Sequence, residues 1–295
     1  MNLLSHVRGD GDLLHAWFEH YRRLGVTAFH LIVHGPRSDN ATLYRLADTY
    51  PVLIRDEYEG EYSAEEKARR TNRVLASLAS GWMFAVDSDE FVELPYRETA
   101  RTIRILNRLG VTALYAPFLH RLAEGGSLET PEVIADPFGA LPICSPGLYA
   151  AMGVRATEAK YPFFRKLPGT VLDGGNHGPP NEQTIVLWAP RGVTHHFKWR
   201  RPVLQRLASR ANSAHTFRHE SAGFLAYLAG HGHRLPTEDT FTYSRRELFR
   251  RGLLRRAGAT EYARVAWAHL HPILPDPVRR GVRRLGRLFR VARGG

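Results

Sequence analysis

The sequence predicts an α/β protein: an open, mostly parallel sheet with helices on both faces, followed by a basic helical C-terminal extension. Three features carry that prediction. Short apolar runs of strand length alternate with helical patterns up to residue 86, the order expected when crossover helices join parallel strands. Polar and acidic residues gather where those apolar runs end. The last stretch, residues 276–295, holds seven arginines and one acid.

Residues 2–7 read as a short buried strand and 8–12 as a loop. Leu13, Leu14, Trp17, Phe18 and Tyr21 recur at helical spacing, with Gly25 in the position of a helix C-cap. Residues 28–33 form a second strand, ending in a turn-rich stretch. Leu43, Leu46 and Ala47 mark a helix from Thr42 to Tyr50, and 52–56 is a third strand. Residues 63–80 form a helix in which Ser63 and Glu66 make a capping box and Leu75 and Leu78 face inward. Gly81 stops it, and 82–86 is the fourth strand. Beyond Phe91 the alternation weakens. Residues 97–110 are a helix and 111–120 a strand. Residues 121–160 are loop-heavy, 161–180 and 183–202 each carry a strand with turns, and helix returns over 203–231. Residues 1–240 are expected to form one domain, divided into halves at 95/96, with 241–295 as the arginine-rich extension.

Apolar residues make up 43% of the 295 and charged residues 24%, as in ordinary soluble globular proteins. The formal charge of +12 is not ordinary and points to an anionic partner: nucleic acid, a membrane surface or a phosphorylated small molecule. The one cysteine, Cys144, excludes an internal disulfide and a cysteine-only zinc site, and fits a reducing compartment. The first residues lack a basic segment ahead of an apolar one, and no run of about 18 apolar residues occurs. A cytoplasmic location is the expectation.

In an open parallel sheet, ligands bind outside the carboxyl ends of the strands. Here those ends are Arg8-Gly9-Asp10, His34 to Asp39, Arg55-Asp56-Glu57 and Asp87-Ser88-Asp89. The fourth is the most unusual, because three carboxylates fall within four positions after an apolar strand. Crowded carboxylates repel unless water or a cation satisfies them. Asp87 and Asp89 are two apart, so an extended Ser88 puts both on one side of the chain. That arrangement suits a hard divalent cation, Mg²⁺ or Mn²⁺, completed by phosphate oxygens and water. A solvated acidic turn is the competing reading. Glu90 would point the other way, as a supporting residue.

The stretch "GWMFAVDSDEFVEL" (81–94) resembles the Asp-x-Asp-Glu-Phe segment of family 2-like glycosyltransferases with the GT-A fold. Residues 1–95 resemble that family's N-terminal half, with Trp17, His20, Leu24, Gly25, Ser38, Asp39 and Thr42 where its pattern wants them. The resemblance returns thinly at "GNHG" (175–178) and "HHFKWR" (195–200). It implies a GT-A-like domain over 1–240, with 1–95 binding a nucleotide-diphosphate sugar and 96–240 an acceptor. It also implies a Mn²⁺ or Mg²⁺ cofactor and transfer to an acceptor hydroxyl with inversion. Asp87 and Asp89 become the metal-binding pair, and His196 the late histidine that completes the metal shell. Arg8, Asp10, Asp39, Asp56, Lys67, Asp87 and His177 become donor-side residues. Gly9-Asp10 replaces the usual Asn-Glu, and His34 stands where an acid is common.

Other residues bear on the same site. His195 and His196 are adjacent, so in a strand only one faces it. His177 lies in a glycine-rich turn suited to closing over a substrate. Inverting transfer needs a carboxylate base, and Asp173 and Glu182 flank that turn; Asp136 is a third candidate. Trp188, Phe197 and Trp199 could stack on a sugar but are read as core. Lys67, Arg69, Arg70 and Arg73 share one helix, and one or two could face a diphosphate. In the tail, Val278, Val282, Leu285, Phe289 and Ala292 form one apolar face amid arginines. That is the pattern of a helix lying on an anionic membrane surface, here the inner face of the membrane, where a lipid-linked or other glycan acceptor could be met. A nuclease or nucleic-acid binder is the contrasting reading, and a degenerate nucleotide-binding relative a third. Much of the excess positive charge is expected in the arginine-rich end and not at the strand ends, which disfavours the nucleic-acid reading.

Overall fold

A computed structural model describes residues 1–156, 159–175, 177–180, 186–187, 189–212 and 217–270. Glu182, Trp188 and the tail 276–295 lie outside the described residues. The strands are β1 Asn2–Val7, β2 Ala28–His34, β3 Val52–Tyr58, β4 Gly81–Ala85, β5 Glu90–Glu93, β6 Ala113–Leu122, β7 Ile143–Ser145, β8 Ala159–Lys166, β9 Val193–His196 and β10 Phe241–Thr242. The helices are α1 Leu14–Arg23, α2 Ala41–Ala47, α3 Ala64–Ser77, α4 Thr99–Arg108, α5 Pro137–Ala140, α6 Leu148–Ala151, α7 Val203–Ala211, α8 Arg218–Gly230, α9 Arg245–Arg250 and α10 Ala259–Leu270.

The sheet runs β10-β7-β6-β8-β4-β1-β2-β3, with β9 joining β6 to β5. The first four strands are parallel in the order β3-β2-β1-β4. From β4 onward the sheet continues through antiparallel partners, β8, β6, β7 and β10. The expected open α/β sheet with helices on both faces is present, and the alternation of side chains along the strands explains it. Leu3, Val7, Phe29, Leu31, Val33, Phe84 and Val86 join Trp17, Phe18 and Tyr21 of α1 in one cluster. Leu4, Ile32, Met83 and Ala85 point the other way, onto Val74 and Leu75 of α3. Ser63 caps α3 by accepting from the Glu66 N–H at 3.3 Å, as the capping box predicts.

Several details differ from the sequence reading. Asp56 does not end the third strand, because β3 continues to Tyr58. The loop-heavy 121–160 stretch contains a 3₁₀ turn at Glu124–Gly126 together with α5, β7 and α6. The 203–231 helix is two helices, α7 and α8, separated where Asn212 ends the first. Phe241 and Thr242 pair with Cys144 and Ile143, so the chain beyond 240 is attached to the sheet edge.

Candidate active site

The site lies outside the carboxyl ends of β1 and β4. Strand order reverses there, since β1 leads to β2 on one side while β4 lies on the other. α1 fixes the turn that carries the acids. The Trp17 indole N–H donates to the Asp87 carbonyl at 3.2 Å, and the Tyr21 hydroxyl donates to the Glu90 carbonyl at 2.9 Å. The Val92 N–H donates back to Tyr21 Oη at 3.1 Å, and His20 Nε2 meets the Val92 carbonyl at 3.0 Å. From the other side, the Phe197 N–H donates to the Asp89 carbonyl at 2.8 Å. The acidic turn is therefore held by its backbone, which leaves its carboxylates to face the crevice.

Those carboxylates divide into two groups. Asp87 is taken by lysines: Lys67 Nζ donates to Oδ1 at 2.7 Å and Lys160 Nζ to Oδ2 at 3.1 Å. Lys160 also meets Glu90 Oε1 at 2.5 Å, and the Asp87 N–H donates to Glu90 Oε2 at 3.2 Å. Burial opposes the Asp87 charge, but the two ammonium groups hold its carboxyl well below the usual range. Burial pushes the Glu90 carboxyl up, against the pull of Lys160. Asp89, Glu90 and His196 form the second group, in which one ligand atom from each lies within 4.8 Å of the others.

Strand pairing explains that convergence. Glu90 of β5 is in register with His196 of β9, and His196 with His120 of β6. Three side chains thus stand in one row on the same face. His195 faces away, donating from Nε2 to Glu93 Oε2 over 3.0 Å. Burial opposes the Asp89 charge, yet His196, Arg200 and Arg206 hold its carboxyl well below the usual range. Two carboxylates and an imidazole make a mixed oxygen–nitrogen donor set that fits Mn²⁺ or Mg²⁺. Asp87, expected to share the cation, meets Lys67 and Lys160, and Lys160 meets Glu90 as well. Glu90, expected to point away, stands in the cluster.

Asp10 is buried, at 7% exposure. Gly9 and Asp10 both adopt positive φ, +69° and +58°, a turn that glycine and aspartate tolerate. The turn aims Asp10 inward, where Arg200 and Arg206 pair with it and the Ser88 hydroxyl donates to it at 2.5 Å. Arg200 also grips Asp12, with Nε to Oδ2 at 2.5 Å. Asn40, which no sequence motif marks, ties the first two strand ends together. It accepts from the Gly9 N–H at 3.0 Å and donates to the His34 carbonyl at 3.1 Å. Arg8 and Asp39 are exposed on either side of Gly35. Asp56 is engaged by Arg70 at 2.7 Å and Arg73 at 2.5 Å, away from the acidic turn, so that helix spends two arginines on it.

The 170s loop reaches the site through Phe118. His196 stacks on that ring at 4.7 Å, His177 meets its edge at 5.9 Å, and Lys160 Nζ lies 5.4 Å from its centre. Asn72 of α3 pins the loop by a reciprocal pair of 2.8 Å hydrogen bonds to the Leu172 backbone. Gly174 passes so close to α3 that a Cβ there would lie 2.5 Å from the Ala64 carbonyl oxygen. Asp173 is exposed and accepts from the N–H groups of Gly175, His177 and Gly178, at 3.0, 3.0 and 2.6 Å. Partial burial raises its pKa, but these three donors bring it below the ordinary value. Asp136 lies apart, at the N-cap of α5. Phe197 and Trp199 are fully buried, as read from the sequence. Lys198 lies 3.6 Å from Glu220 and over the Phe224 ring, and burial lowers its pKa to about 8.

Lys67, Lys160, Lys198, Arg200 and Arg206 all stand around the acidic turn, so the strand ends are not poor in cations. Sequence spacing could not show this, because four of the five come from beyond residue 159.

No known protein-family profile matches the chain. No curated protein matches it either. Among solved structures the chain is similar to S. aureus TarS 1-349, at a TM-score of 0.34 and 10% identity, over 78% of this chain and 71% of that one. It is similar to the mannosyltransferase PcManGT from Pyrobaculum calidifontis in complex with GDP-Man and Mn²⁺, at a TM-score of 0.34 and 13% identity, over 95% and 81%. It is also similar to the inositol-1-phosphate CTP transferase from T. maritima, at a TM-score of 0.24 and 12% identity, over 43% and 55%.

Proposed function

We propose that this chain is a glycosyltransferase that moves a sugar from a nucleotide-diphosphate sugar to an acceptor hydroxyl, with Mn²⁺ or Mg²⁺ as cofactor. The observation that carries the reading is the convergence of Asp89, Glu90 and His196 at the β1/β4 crevice, beside several cations. The resemblance of residues 81–94 to the Asp-x-Asp-Glu-Phe segment supports it from the sequence side.

In this reading Asp89, Glu90 and His196 hold the cation, which supplies charge neutralisation to the departing diphosphate. Lys67 and Lys160 keep Asp87 ionised and add positive charge where the diphosphate would lie. Arg8 and Asp39, exposed at the first two strand ends, touch the nucleoside. Asp10 and Asp56 act indirectly, by fixing Arg200, Arg206, Arg70 and Arg73. His177 closes over the sugar beside Phe118. Transfer with inversion calls for Asp173 or Glu182 to take the acceptor proton; Asp173 would release its loop N–H donors as it does so. The acceptor in this reading is a glycan or a lipid-linked molecule.

Thermal unfolding with a panel of nucleoside diphosphates, with and without Mn²⁺, tests the reading. A Mn²⁺-dependent rise in Tm with UDP or GDP, lost in Asp89→Asn, is expected. A Tm unmoved by every nucleotide, together with salt-sensitive binding to DNA or RNA, would overturn it.

A further inference from the structure

We infer that His120 is a positioning residue for the cation site, holding the His196 ring so that its Nε2 lone pair is presented toward Asp89 and Glu90. The inference rests on the cation proposed above.

His120 and His196 are cross-strand partners on β6 and β9, and their Nδ1 atoms are 3.2 Å apart. At that spacing one ring must donate and the other accept, since two lone pairs or two protons would repel. If His196 donates, its Nε2 is bare and faces Asp89 Oδ2 at 3.5 Å. Ligands each about 2.1 Å from one ion lie roughly 3–3.5 Å apart, so this spacing suits a shared cation. If His120 donates instead, His196 presents an N–H to Asp89 at a distance too long for a good hydrogen bond. With a cation between His196 and Asp89, only the first tautomer leaves Nε2 free to ligate; without one, the second suits the Asp89 carboxylate.

The surroundings leave His196 little choice of orientation. Phe118 stacks on it at 4.7 Å, and Tyr149 packs against His120 at 4.2 Å. His120 is wholly buried, and its Nε2 has no hydrogen-bond partner among the described residues. A phenyl ring would fill that space without stranding a polar atom. What a phenyl ring lacks is the Nδ1 that meets His196. A partner on the distal nitrogen is what fixes the tautomer and orientation of a metal-ligating histidine.

Mn²⁺ titration of the full chain by calorimetry tests this, with His120→Phe, His120→Asn and Asp89→Asn compared with wild type. His120→Phe should weaken Mn²⁺ binding on the order of 10- to 100-fold. His120→Asn, whose amide oxygen can accept the same Nδ1–H, should recover most of it. Imidazole ¹⁵N–¹H correlation spectra of the wild type with Mg²⁺ should show His196 protonated on Nδ1, a readout that needs no folded variant. An unchanged Mn²⁺ affinity in His120→Phe, alongside its loss in Asp89→Asn, would overturn the role of His120 and leave the cation site standing. So would His196 protonated on Nε2. Absence of Mn²⁺ binding in the wild type would overturn the site itself, and this inference with it.

Discussion

Lys160 decides how the acidic turn is divided. It is 1% exposed, and its one ammonium bridges Asp87 and Glu90. Burying an ammonium is costly, and here two carboxylates offset the cost and keep it charged. Removing one member of such a group strands the others. Lys160→Met should therefore cost about 3–5 kcal/mol in urea unfolding. Lys160→Met with Glu90→Gln should cost less than the sum of the two single changes, because it also removes a stranded charge. Strict additivity would refute the coupling. The residue scale is also where the sequence was least legible. Asp89 belongs to a compact local motif, and His196 sits in a short aromatic–basic stretch that drew notice. Lys160, Arg200, Arg206 and His120 arrive from strands, a loop and a helix far along the chain. No spacing rule links them to residue 87. Glu90 stands nearer Asp89 than a period of two implies, because the backbone turns at Ser88 and Asp89.

At the scale of elements, periodicity served well wherever one helix followed one strand. β1 to β4 and α1 to α4 all match their expected positions within a few residues. It failed for β5, β7 and β10, which pair antiparallel with strands far along the chain. These strands are short, with no crossover helix to announce them. Glu93 shows what these distant elements add. It stands on β5 and meets His195 of β9, the hydroxyl of Tyr243 at 3.1 Å, and Arg245 of α9. One carboxylate thus clasps the segment beyond residue 240 to the sheet. Burial raises its pKa, but His195 and Arg245 bring it from 4.5 down to about 2. A folded pKa below the unfolded one stabilises the fold above the unfolded value, and that stability is lost as pH falls from 4.5 toward 2. A depression of this size corresponds to about 3 kcal/mol. Glu93→Gln should be less stable than wild type at pH 7, and the gap should close as pH falls across that window. A gap independent of pH would show that packing, not charge, makes the difference.

At the scale of the whole molecule, charge is the feature that remains to be placed. Half of the net charge of +12 lies in residues 276–295, which hold seven arginines and one acid. The cations of the crevice are largely matched by Asp10, Asp12, Asp87, Asp89 and Glu90, so the site itself is close to balanced. Half of the net charge therefore resides where the sequence sets Val278, Val282, Leu285 and Phe289 among arginines. No helix among the described residues is long and apolar enough to cross a membrane. A surface-lying segment needs no such length. Each arginine near an anionic bilayer contributes roughly 1 kcal/mol, falling off within a Debye length. Six net charges can hold a chain to such a surface at low salt and release it at high salt. The full chain should sediment with vesicles containing phosphatidylserine and not with neutral ones, and ~0.5 M salt, where screening is strong, should release it. A chain ending at residue 270 should stay in the supernatant while keeping the nucleotide-dependent Tm shift. Equal sedimentation of both chains would place the anionic surface contact elsewhere, and binding to neutral vesicles that salt leaves intact would point to the apolar stripe acting without the arginines.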